Sequence, residues 1–229
     1  MFYLLLAAVG VVDLTPAAQW IMDSFFQLDK AILAWYHGLA MSTGGLLTPI
    51  ADLISWTGWK GLALIVVTVV LLIIPRTRKI GLYCGVAMAI GYLAVNKGIK
   101  PAVARPRPYD FDGEIRTWWN YVSSLSFSLP EHDLSFPSGH MNAATAFAAG
   151  LVFSRGKTWY KWAPWMLLYV ILMGMSRNYL MVHYPSDILF GFCTGLIAAC
   201  LSAVICGAIY KRWGNTRLLG GSGKGAHEK

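Results

Sequence analysis

Long apolar runs separated by short polar clusters dominate this chain. Residues 53–74, 80–99, 160–176 and 186–210 each approach the roughly 20 residues that a helix needs to cross about 30 Å of hydrocarbon. A fifth run, 139–154, is shorter and rich in small residues, and it suits a helix buried among its neighbours. Residues 3–26 form a further span interrupted by Asp13 and Pro16. The pattern predicts an all-α fold, a polytopic bundle of membrane helices. It has about six crossings, or five without the N-terminal one.

Between these runs, residues 27–47 mix apolar positions with Lys30, His37 and a glycine pair, and predict an amphipathic helix lying at the membrane interface. Residues 109–136 read as a long loop, with Trp118, Trp119 and Tyr121 as interfacial anchors. The organisation that follows is an N-terminal part over 1–47, a core over 48–210 and a flexible Gly-rich tail over 211–229. The first dozen residues lack the basic start and the small-residue cleavage site of a secretory signal.

Composition agrees with a membrane protein: 56% of the residues are hydrophobic and the mean hydropathy is +0.52. Cys84, Cys193, Cys200 and Cys206 all fall inside predicted spans, as small packing hydrophobes do. The net charge of +8 raises the question of nucleic acid, and its distribution answers it. Two loops, around Arg76–Lys79 and Arg155–Lys161, together with the tail from Lys211, hold eleven cations against Glu228 alone. The other side holds the remaining eight cations and ten acids. The positive-inside rule makes the cation-rich set cytoplasmic, so the charge reports topology rather than a nucleic-acid footprint.

With that orientation three polar clusters, far apart in sequence, meet at the extracytoplasmic face. "KPAVARPRP" supplies Lys100, Arg105 and Arg107, stiffened by three prolines. Rigid guanidinium and ammonium groups seat phosphate oxygens well. "PSGH" offers Ser138 as a helix N-cap, Gly139 for close backbone approach and His140 beside it, at a helix start that favours anions. "SRNYLMVHYPSD" adds Arg177 and places His183 just before a helix that opens at Pro185, with Asp187 in its first turn. A carboxylate there can bond one ring nitrogen and leave the other as base or nucleophile. A metal is not expected: there is no His-x3-His or cysteine pair, and the surrounding Lys and Arg residues repel cations. Charges gathered at one face rather than at mid-bilayer argue against a transporter's through-path.

Taken together, Lys100-x6-Arg107-Pro108, Pro137-Ser138-Gly139-His140 and Ser176-Arg177-x5-His183-x3-Asp187 resemble the three-part signature of the type 2 phosphatidic acid phosphatase family. That superfamily also includes bacterial class A acid phosphatases and vanadium haloperoxidases. The resemblance covers roughly 48–210. It implies that His183 is the nucleophile oriented by Asp187, and that His140 is the general acid. Lys100, Arg107, Arg177, Ser138 and the Gly139 amide would be the phosphate cradle, working without metal or cofactor. It gives Arg105 no role. It further implies a lipid phosphatase of the bacterial cytoplasmic membrane, and the loop charges put its C-terminus in the cytoplasm and its site outside. A lipid phosphate and the surrounding lipids would be its partners, with no nucleic acid and no obligatory protein partner. Undecaprenyl diphosphate is the favoured substrate; phosphatidylglycerophosphate, phosphatidate and lipid A remain alternatives.

Overall fold

The computed structural model describes residues 14–129, 131 and 133–213, and the regular structure among them is all helical. The first part of the 3–26 run, up to residue 13, and the tail beyond Trp213 lie outside the described residues. Helix α1 spans Pro16–Ser42. Thr15 caps it by accepting from the Ala18 N–H at 3.1 Å, and Pro16 stands at the first position, where a missing N–H costs nothing. The helix runs unbroken past residue 26, where the sequence suggested a change from span to interfacial helix. It ends at Ser42, and Gly44 and Gly45, with φ values of +58° and +75°, turn the chain into α2, Thr48–Thr57.

Helices α2 and α3 (Leu62–Ile73) cover the expected 53–74 span, but as a pair bent by 46° around the short 3-10 turn Trp59–Gly61. Helix α3 leaves Leu62, Ile65, Val66, Val69, Val70 and Ile73 exposed. An apolar face of that extent belongs in lipid, where the helix satisfies its own backbone bonds. Helix α4, Arg78–Tyr92, passes through a π-helical segment, Leu93–Ile99, into α5, Lys100–Val103.

The segment read as a loop over 109–136 is instead helical for much of its length. Short α6, Pro108–Phe111, leads into α7, Gly113–Leu125. Asp112 caps α7 through the Glu114 and Ile115 N–H groups, at 2.9 and 3.0 Å. Lys30 of α1 then pairs with both Asp112 and Glu114, at 2.9 and 2.8 Å. Trp118 stacks on His37 and Trp119 on Tyr109, so two of the three expected anchors also pack within the protein.

Helix α8, Gly139–Ser154, sits in the middle of the bundle against α4, α9 (Ala163–Tyr179) and α10 (Pro185–Trp213). Its small residues allow that position. A Cβ at Gly150 would lie 3.0 Å from the Tyr83 carbonyl oxygen, and one at Gly195 of α10 would lie 2.6 Å from that of Asn142. By length and composition, two helical stretches among the described residues can cross a membrane, Arg78–Phe111 and Pro185–Arg212, and the bent α2–α3 pair makes a third if it is one span.

Candidate active site

The three polar clusters meet where α5, α8 and α10 present their ends. Lys100, Arg107, Gly139, His140 and His183 line one cavity of about 1090 Å³. Ser138 caps α8, its hydroxyl accepting from the Met141 N–H at 3.4 Å, and it is fully buried behind the cavity wall. Gly139 faces Asn96; a Cβ there would lie 3.2 Å from its Oδ1, inside ordinary contact.

His183 sits in the turn before α10, with Nδ1 3.4 Å from Asp187 Oδ2. That same oxygen accepts from Ser135 Oγ at 2.5 Å and from the Tyr184 N–H at 2.9 Å. Ser135 Oγ lies 3.5 Å from His183 Nδ1 as well. This bonding assigns the proton to Nδ1 and leaves Nε2 for the cavity. Burial, with Arg107 and Arg177 nearby, pulls the His183 ring down to about 4, against the opposing bond to Asp187. An imidazole shifted in this direction is neutral near pH 7.

The cations form a tight group. Arg107 donates through Nε to the Asp133 carbonyl at 2.8 Å, through Nη1 to the Val182 carbonyl at 2.5 Å and through Nη2 to the Asp133 carboxylate, and it forms an ion pair with Glu131 Oε2 at 2.8 Å. Lys100 Nζ lies 2.5 Å from Asp133 Oδ2. Arg177 donates to Ser55 Oγ and to Glu131 Oε1, both at 2.5 Å, while its Nε has no hydrogen-bond partner among the described residues. Thus two carboxylates from the segment after α7 occupy the cationic cradle. Burial pushes the Glu131 carboxyl up, but Arg177 and Arg107 outweigh it and hold it well below the usual range. Burial likewise raises Asp133, and Arg107 and Lys100 overcome it. Carboxyls depressed in this way contribute stability above their ordinary pKa of about 4 and lose it as pH falls through the lower folded values.

His140, in the first turn of α8, points its Nε2 toward Glu131 Oε1 at 4.0 Å. Glu131, His140 and His183 each offer one atom within 4.8 Å of the others, close enough to consider a metal. Both Glu131 oxygens are already bonded to guanidinium groups, and Arg107, Arg177 and Lys100 surround the space, so the donor set suits an anion better than a cation.

Sequence reasoning did not find Glu131, Asp133, Ser135, Ser55 or Asp29. The hydrogen-bond and guanidinium partners of these side chains stand 24 to 157 residues away, as in Arg107–Glu131 and Ser186–Asp29, beyond the reach of any local pattern.

Comparison with known proteins follows the same residues. A family model described as PAP2 superfamily matches residues 80–211. An undecaprenyl-diphosphatase of Sulfolobus acidocaldarius is 32% identical over 142 residues, covering 61% of this chain and 61% of that protein. A lipid A 1-phosphatase of Rhizobium johnstonii is 31% identical, covering 58% of this chain and 51% of its own length. The chain thus spans between half and two thirds of these two curated relatives. The crystal structure of a transmembrane PAP2-type phosphatidylglycerolphosphate phosphatase from Bacillus subtilis superposes with a TM-score of 0.61 at 24% identity, over 91% of this chain and 94% of that one, and shares its fold.

Proposed function

The chain belongs to the PAP2 superfamily, and on that premise we propose that it is an integral membrane lipid phosphatase that hydrolyses a lipid phosphate or diphosphate through a phosphohistidine at His183. The observation that carries the lipid substrate is the shape of the cavity. Lys100, Arg107, His140 and His183 stand at one end, and Ile65 and Val69 of the lipid-facing helix α3, with Met88 and Ala89 of α4, line the other. A soluble phosphate needs only the first end. A lipid can keep its chain between the helices while its head reaches the cations.

In the reaction, His183 Nε2 attacks phosphorus as the bond to the leaving oxygen breaks, and His140 gives that oxygen its proton. Water then attacks the phosphohistidine, His140 takes the proton back, and inorganic phosphate departs. The loose transition state carries charge on its equatorial oxygens, and Lys100, Arg107 and Arg177 are fixed in place to meet it. Arg177 Nε is a buried donor with no hydrogen-bond partner among the described residues. The chemistry calls for no metal, so EDTA should leave activity intact.

Undecaprenyl diphosphate is the substrate we favour, with phosphatidylglycerophosphate or phosphatidate as the alternative. The sorted loop charges support a site facing outside and a cytoplasmic C-terminus in a bacterial cytoplasmic membrane, with about six crossings, or five without the N-terminal one. The direct test compares phosphate release from these three lipids and from a soluble aryl phosphate in detergent. Hydrolysis of the aryl phosphate alone would defeat the lipid assignment.

Two further outcomes follow from the geometry. Ala89→Trp fills the apolar end of the cavity and should raise KM for the long-chain lipid about tenfold, with the aryl phosphate unaffected. Glu131 competes with the incoming phosphoryl group for Arg107 and Arg177. Glu131→Gln removes a charge-assisted partner, so inorganic phosphate and vanadate should inhibit about tenfold more tightly. Unchanged inhibition would mean that Glu131 leaves the cradle at no cost.

A further inference from the structure

Arg105 stands outside the three-part motif, yet its guanidinium is completely buried. Through Nη1 it donates to Asp187 Oδ1 at 2.7 Å and to Ser186 Oγ at 2.8 Å, and through Nη2 to Asp29 Oδ2 at 3.0 Å. It also lies 3.7 Å from the centroid of the Tyr184 ring. Asp29 comes from α1, outside the matched residues 80–211. Its carboxylate accepts from the Ser186 N–H at 2.8 Å and from Ser186 Oγ at 2.6 Å, so it also serves the first turn of α10. Burial holds the Asp29 carboxyl above its usual value, against the opposing bonds from Ser186 and Arg105. Both of its oxygens face donors, the arrangement that an ionised carboxylate requires.

We propose that Arg105 and Asp29 are positioning residues that set the orientation and the charge of the Asp187–His183 pair. This rests on the reading of His183 as nucleophile. Arg105 fixes Oδ1 of Asp187, so Oδ2 is turned toward the imidazole. Asp29 and Asp187 together carry two negative charges and Arg105 one positive, leaving a net charge of −1 behind the ring. That charge suits an imidazole that becomes cationic when it takes the phosphoryl group. Without Asp29, Arg105 would cancel Asp187 and withdraw this support.

The charge count gives a test that simple damage to the fold cannot imitate. Asp29→Asn brings the cluster to zero, Arg105→Gln brings it to −2, and the double variant restores −1. His183 must be neutral to attack. Losing a negative charge behind it lowers its pKa and moves the acid limb of kcat/KM to lower pH. Losing the positive charge moves that limb to higher pH. The other charged groups around the ring, Lys100, Arg107, Glu131, Asp133, His140, Arg177 and Asp187, are the same in every variant.

The full chain in detergent, assayed on phosphatidate and undecaprenyl diphosphate across pH, should show opposite shifts of about one unit for the two single variants. Each should lose roughly ten- to a hundredfold in kcat with little change in KM, and the double variant should return the limb to its wild-type position. Shifts in the same direction, or none, in folded protein would overturn the proposal. If Arg105→Gln does not fold, Arg105→Lys must leave the limb in place, and the direction of the Asp29→Asn shift then decides. A wild-type chain that releases no phosphate from either lipid would defeat the phosphatase reading itself, a different result from active wild type with unshifted variants.

Discussion

Replacing His183 with glutamine is expected to lower phosphate release by about a thousandfold or more, with the protein still folded. The expectation comes from the turn before α10. His183 is buried, its Nδ1 faces Asp187 and Ser135, and its other nitrogen is left for the cavity that the cations line. Glutamine fills a similar volume and can still donate toward Asp187, so the packing around Tyr184 and Arg105 should survive. It cannot carry a phosphoryl group. The matching positive observation is a wild-type phosphoenzyme that survives an alkaline quench and is lost in acid, the lability of a phosphoramidate, and that is missing from His183→Gln. Wild-type turnover in the glutamine variant would remove His183 from the reaction, and with it the roles given to Asp187 and Arg105.

What the sequence made legible here is what acts over a few residues. Ser138 and Pro185 mark helix starts because a cap or a missing N–H is a local event, and both helices begin there. The apolar runs mark α3, α4 and α10 for the same reason. The 109–136 segment misled because its polar residues look like a solvated loop until Lys30 is seen to pair with Asp112 and Glu114. Lys30 itself suggested an interfacial helix, and in the structure α1 carries it against α7. At the site, three distant motifs contain the groups proposed to do chemistry. The carboxylates that now balance the cations, Glu131 and Asp133, lie between two of those motifs in a stretch with no periodic pattern. Arg105 and Asp29 show the same limit: neither has a local reason to be buried, and each is buried because the other is.

His140 should be judged by which substrate suffers when it is lost. For phosphatidate the departing group is an alkoxide, which needs a proton as it leaves. For undecaprenyl diphosphate it is the oxygen of a phosphate ester, stable as an anion. His140→Gln should therefore cut kcat/KM for phosphatidate by roughly 10² to 10⁴, the range of general acid catalysis, and cut it far less for the diphosphate. The parameter matters. Values of kcat can come to reflect hydrolysis of the phosphohistidine, a step common to both substrates, whereas kcat/KM reports the first transfer, in which the leaving groups differ. Gly58 leaves room for the ring, since a Cβ there would lie 2.9 Å from His140 Cδ2. His140, in the first turn of α8, and His183, in the turn before α10, line the same cavity, so an in-line transfer can have the nucleophile on one side of phosphorus and the acid on the other. Equal losses on the two lipids would instead make His140 a binding residue, and the proton for the leaving oxygen would have to come from water or from the substrate itself.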